Sequence, residues 1–178
     1  KLPGFYSREN TTTQKMEDIN YDGSANDVSK EIVKLKKDNI AGLILDLRYN
    51  GGGSIWEAMQ LAGIFIDIGP VASIKDREGK VRFLKDPNRG TIYDGPLLVL
   101  VNGASASASE FIGAVLQDYN RAIIVGGTTY GKGTAQSILP MDSAMPDPNK
   151  KYEDFVKVTR EKFYRVNGGT TQWTGVEP

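Results

Sequence analysis

Three short, unbroken apolar runs decide most of what this chain can fold into: GLILDL (Gly42–Leu47), GPLLVLV (Gly95–Val101) and RAIIVG (Arg121–Gly126). Runs of this length suit strands buried on both faces of an α/β sheet, and they are far short of the roughly 20 residues a membrane span needs. Helical spacing lies between them. Val28, Ile32 and Leu35 recur at i, i+4 and i+7, with Asn26 or Asp27 as the expected N-cap. Ile55, Met59, Ala62 and Ile66 repeat the pattern, and Phe111, Ile112, Val115 and Leu116 make a third helix face. Strand–helix–strand–helix–strand order predicts an α/β fold with a mainly parallel sheet flanked by helices.

Antiparallel additions are predicted around it. VASIKDREGKVRFL reads as a hairpin turning at Glu78-Gly79, and VKVTREKFYRVNGGTTQ as a second hairpin turning at Arg160-Glu161. LPGFY, from Leu2, reads as a short edge strand. The polar stretches at 10–24 and 142–154 read as loops. No repeat or linker divides the chain, so residues 1–178 are expected to form one domain. The first residue is Lys1 rather than Met, so the chain reads as a fragment or a processed product.

Composition narrows the chemistry. Lys+Arg and Asp+Glu both number 22, leaving no net charge to suggest a nucleic-acid footprint. His and Cys are both absent, which removes disulfides, the usual zinc sites, cysteine nucleophiles and every Ser-His-Asp triad. A serine hydrolase built from this chain needs another base, and lysine is the main remaining candidate.

The predicted strands end in three unusual loops: NGGGS (Asn50–Ser54), NGASASASE (Asn102–Glu110) and GTTYGKGTAQ (Gly127–Gln136). Sites in parallel α/β sheets sit at the carboxyl ends of strands, so neighbouring strands would bring these loops together. Ser105, Ser107 and Ser109 lie where a strand turns into a helix. Exposed backbone N–H groups there favour developing negative charge, as an acyl-transfer nucleophile requires. The plainer alternative is tight packing at an elbow, with one serine as N-cap. Lys132 sits between glycines. Burial would make it a base by disfavouring its charged form; otherwise it is a solvated loop lysine. Gly126–Lys132 also has the spacing of a phosphate-binding loop, but Gly133 follows where Ser or Thr is needed, and the next segment is a poor helix former. Asn50–Gly53 is a turn by default, with glycine N–H groups able to face an oxyanion. Trp56 and Trp173 read as packing residues.

GLILDLRYNGGG, LLVLVNGASASASEF, LQDYNRAIIVGGTTYGKGTAQ and KFYRVNGGTTQWTGVEP together resemble the carboxy-terminal processing proteases, and most nearly the tail-specific proteases of the bacterial envelope. The matching blocks run in order from about Leu43 to Pro178. The resemblance implies a crotonase/ClpP-like core and a Ser-Lys dyad, with Ser107 as nucleophile and Lys132 as base. It implies that Gln136, one helical turn after the lysine, holds the lysine amine in line. The backbone N–H groups of Ala108 and Gly53 would form the oxyanion hole, with Gly52 the weaker choice. It further implies a serine endopeptidase that cleaves polypeptides near unstructured, apolar C-terminal tails through an acyl-enzyme. No metal or organic cofactor, no nucleic acid and no membrane span is implied, and the location would be periplasmic or at the cell envelope. Family members usually carry a PDZ domain, for which these residues have no room, so the chain reads as a protease core cut from a longer protein or as a member without one. Two other classes stay open: a peptide-binding module of the same fold without turnover, and a nucleotide-binding protein using the Gly-Lys loop.

Overall fold

In the computed structural model, residues 1–7, 23–86, 89–141 and 154–178 are described. The two predicted polar loops therefore lie almost wholly outside the described residues. The elements are α1 (Ser24–Lys37), β1 (Leu43–Asp46), α2 (Ile55–Phe65), β2 (Gly69–Asp76), β3 (Val81–Asp86), β4 (Leu97–Val101), α3 (Ala108–Asp118), β5 (Ile123–Gly126), β6 (Thr134–Pro140) and β7 (Phe155–Tyr164).

The three apolar runs become the three strands of one parallel sheet, ordered β1-β4-β5. β4 is central, pairing Leu97 with Leu43 and Val101 with Gly126. Its inward residues Leu97, Val99 and Val101 pack with Leu45, Ile124 and the buried faces of α2 and α3. The other face is open: Ile44 is 62% exposed and Ile123 69%. The expectation of strands buried on both faces thus fails for β1 and β5, because the helices cover one face only among the described residues.

The antiparallel strands make a sheet of their own, ordered β3-β2-β7-β6. The β2–β3 hairpin turns where predicted, with Gly79 N–H donating to the Asp76 carbonyl. The second predicted hairpin is not there. Arg160 and Glu161 lie inside β7, a single ten-residue strand paired with β2 on one side and β6 on the other. The dipeptide has no residue suited to a tight turn, and ladders on both sides hold it extended. The turn comes later, where Gly169 O accepts from Arg165 N–H and Gly168 has φ 86°. LPGFY forms no strand; an isolated bridge between Phe5 and Gly53 and a bond from Leu2 N–H to the Asp46 carbonyl at 3.0 Å tie it down. Gly23 is the N-cap of α1, and Asn26 and Asp27 lie within its first turn. Ile66 is the C-cap of α2 rather than part of it.

Candidate active site

The sequence makes three serines look alike, and the fold separates them. Ser105 is fully buried, and its Oγ donates to the Leu47 carbonyl at 2.9 Å. Ser109 is also fully buried and donates to the Asn50 carbonyl at 2.8 Å. Both hydroxyls are structural ties between the elbow and the turn after β1. Only Ser107 is partly open, and it lines a cleft. Its backbone is at φ 58°, ψ −113°, a conformation that costs a non-glycine residue of order 1–3 kcal/mol. The surroundings hold it there: Ser107 N–H donates to Glu110 Oε2 at 2.7 Å, and its carbonyl accepts from Phe111 N–H at 2.8 Å.

Lys132 lies in the loop between β5 and β6. Its Nζ is 3.3 Å from Ser107 Oγ and donates to the Thr134 carbonyl at 3.1 Å. Desolvation by burial lowers its pKa. The charge of Lys157 pushes the same way, and Glu110 opposes both. A serine hydroxyl and a lysine with a depressed pKa thus meet at a helix N-terminus, an arrangement suited to proton transfer and nucleophilic attack.

Glu110 joins the two. It is fully buried and accepts four hydrogen bonds. Oε1 takes Thr129 Oγ1 at 2.7 Å and Gly131 N–H at 2.6 Å, and Oε2 takes Ser107 N–H at 2.7 Å and Lys132 N–H at 2.8 Å. One carboxylate therefore clamps the backbones of both partners. Read along the chain, Glu110 is only an acidic residue suited to a helix start. Sequence reasoning misses its role because Thr129–Lys132 are about twenty residues away. Asn50 is missed in the same way. It is buried, its Oδ1 accepts from Gly52 N–H at 2.9 Å, and its carbonyl accepts from Ala106 N–H at 3.0 Å.

The predicted oxyanion donors are placed as follows. Ala108 is the first residue of α3, so its N–H has no partner within the helix. Gly52 packs against the elbow: a Cβ there would come within 2.8 Å of Ser107 Cβ. Its N–H is engaged by Asn50. Gly53 N–H has no protein partner among the described residues, and Gly53 lines the cleft with Ser107 and Lys132. Gly53 itself packs on Phe5, where a Cβ would come within 2.3 Å of the Phe5 carbonyl oxygen.

Gln136 departs from expectation. It lies on strand β6, not one turn along a helix, and its Nε2 donates to Thr134 Oγ1 at 3.0 Å and Thr159 Oγ1 at 3.4 Å. It shares the cleft with Lys132, but the Thr134 carbonyl holds the amine instead. The strand also removes the phosphate-loop alternative, because no helix N-terminus follows Lys132. Trp173 is 89% exposed, so it is not a packing residue, whereas Trp56 packs on the core and lines the cleft.

The cleft holds about 620 Å³ and runs between α2 and the antiparallel sheet, from Ser107 past Trp56, Ile74 and Ile138. A tight apolar slot of about 20 Å³ opens beside Ser107, lined by Ile55, Val71, Phe111 and Phe163. Among the described residues no cluster of three Asp, Glu, His or Cys side chains is placed to hold a metal ion, and no helix is long and apolar enough to cross a membrane.

Residues 7–178 match the profile described as peptidase family S41. The tail-specific protease of Haemophilus influenzae is 44% identical over 156 residues, covering 88% of this chain and 22% of that protein. The carboxy-terminal-processing protease of Bartonella bacilliformis is 33% identical over 146 residues, covering 82% of this chain and 32% of that one. The solved photosystem II D1 C-terminal processing protease superposes with a TM-score of 0.74 at 31% identity, over 86% of this chain and 38% of that one. The chain spans about a fifth to a third of these two curated relatives' length.

Proposed function

The chain belongs to peptidase family S41, and from that premise we propose that residues 1–178 form the catalytic core of a serine endopeptidase acting on the C-terminal tails of polypeptides, with Ser107 and Lys132 as its dyad. The observation that carries this is the pairing of Lys132 Nζ with Ser107 Oγ at 3.3 Å, where burial favours the neutral amine.

In this reading neutral Lys132 accepts the Ser107 proton as Oγ attacks the scissile carbonyl carbon. The carbonyl oxygen becomes an oxyanion facing the N–H groups of Ala108 and Gly53. Each such donor is worth about 10²–10³ in rate on the usual scale. The C–N bond then breaks, the leaving amine takes the proton from Lys132, and an ester to Ser107 remains. Water attacks the ester, giving a proton to Lys132; the C–Oγ bond then breaks, Ser107 Oγ takes that proton back from Lys132, and the acid product leaves. The Thr134 carbonyl aims the amine, and Glu110 fixes the backbones of both partners. Gln136 is a wall residue of the cleft rather than a holder of the amine in this resting state.

β6 is an edge strand among the described residues, and that edge, with the apolar wall across from it, favours an extended chain as substrate. The slot beside Ser107 favours a small apolar side chain just before the cut. The resemblance to envelope proteases carries a periplasmic or envelope location, which fractionation of the native host tests.

The deciding experiment is digestion of an unfolded polypeptide with an apolar tail, read by mass spectrometry, beside the Lys132→Ala and Ser107→Ala variants. Cleavage by the parent alone is the expected result. Equal cleavage by Lys132→Ala refutes lysine as the base. A protein that binds the polypeptide without cutting it, and whose Ser107 takes no acylating probe, is a binding module instead.

A further inference from the structure

Beyond Ser107 and Lys132, the cleft carries three more charged side chains: Arg82 on β3, and Lys157 and Glu161 on β7. Two of them neutralise each other, Arg82 Nη2 donating to Glu161 Oε1 at 2.5 Å. Among the described residues no carboxylate pairs with Lys157. Its charge is felt inside the cleft, since it is one of the causes that lower the pKa of Lys132. An ammonium with no carboxylate partner among the described residues, in a groove walled by apolar side chains and by the mutually neutralised Arg82–Glu161 pair, is a feature that the Ser-Lys chemistry does not use.

We propose that Lys157 forms a subsite for a carboxylate of the bound polypeptide, so that the cleft selects chains bearing an acidic group a few residues from the scissile bond. This rests on the reading of the cleft as the substrate channel. Placement follows from the strand. Phe163 lies beside Ser107, in both the cleft and the slot, and Lys157 is six residues away along β7 (163 − 157). At roughly 3.3 Å per residue that is about 20 Å of strand, of which the long lysine side chain can span part. An extended substrate laid along the sheet has the same rise, so the carboxylate falls roughly three to six residues from the bond that is cut. A pair at a partly exposed site of this kind changes affinity by about two- to fivefold at low salt and less as salt rises.

The test is binding, so that it reads out even without turnover. Fluorescent peptides of one neutral sequence carry a single Glu moved stepwise from end to end, and a parallel pair ends in a free acid or an amide. Anisotropy gives Kd for Ser107→Ala, and for the same protein with Lys157→Met or Lys157→Arg. The expected result is a two- to fivefold tighter Kd at one or two Glu positions, or for the free acid over the amide. The advantage is lost in Lys157→Met and kept in Lys157→Arg. The Glu arm identifies a side-chain carboxylate, and the amide arm a terminal one. Equal Kd across all peptides, or an advantage that survives Lys157→Met, overturns the subsite. If none of the peptides binds, including those with a free terminal acid, the cleft is not the substrate channel and both readings fall. Lys157 is exposed, so circular dichroism of the methionine variant should match the parent.

Discussion

Glu110→Gln isolates the clamp that joins Ser107 to Lys132. The substitution keeps the shape and replaces one acceptor oxygen with a donor amide. Placed at Oε2, the NH₂ would face the N–H groups of both Ser107 and Lys132, with no acceptor available. Placed at Oε1, it meets Gly131 N–H, which cannot accept, and the Thr129 hydroxyl, which already accepts from Val176 N–H at 2.7 Å and can accept again only by turning its own proton away. The amide therefore settles at Oε1, stranding one buried N–H and removing the charge from the other bonds. A stranded buried donor costs about 1–3 kcal/mol, and loss of charge assistance adds to it, so the expected destabilisation is about 2–4 kcal/mol. Glu110→Ala strands all four donors and should lose more than that, a large share of a domain's usual 5–15 kcal/mol. Urea denaturation at pH 7 reads both values. Activity carries a second signature. Glu110 raises the Lys132 pKa, so its neutralisation lowers that pKa further and moves the acid limb of the rate profile to lower pH. A Glu110→Ala loss under about 1 kcal/mol with an unmoved rate profile would refute the clamp.

Three further outcomes are expected. Ser107→Gly should abolish cleavage yet melt above Ser107→Ala in calorimetry, because glycine adopts φ 58° without the strain. Lys132→Met should be inactive and more stable than the parent at neutral pH, with the difference shrinking as pH rises. A lysine whose pKa is lowered on folding carries its penalty below the folded pKa, and stability recovers as pH climbs towards the unfolded value. Gln136→Ala should keep cleavage within about tenfold of the parent, since among the described residues its amide bonds only to Thr134 and Thr159. A loss of about 10² or more in steady-state rate, the size associated with a misplaced catalytic group, would mean that substrate binding brings the amide onto Lys132.

By itself, the sequence determined the local grammar of this protein. Unbroken apolar runs marked β1, β4 and β5, and Glu78-Gly79 marked a real turn. The absence of histidine left lysine as the main candidate base for any serine hydrolase built from this chain. These features follow from composition, spacing and turn chemistry that a few neighbouring residues carry. The same grammar misread Arg160-Glu161, because what keeps β7 straight is pairing with β2 and β6 rather than anything within the strand. Along the chain, only resemblance chooses Ser107 among three serines. In the folded protein burial sets the three apart, since Ser105 and Ser109 give their protons to the carbonyls of Leu47 and Asn50, more than fifty residues away, while Ser107 faces the cleft. The tertiary structure also decided that Glu110 is a clamp, that Gln136 lies on a strand with its amide on Thr134 and Thr159, and that Trp173 is exposed. The clamp and the dyad depend on groups distant in sequence converging on one low-dielectric site, where hydrogen bonds strengthen and a lysine loses its proton more readily.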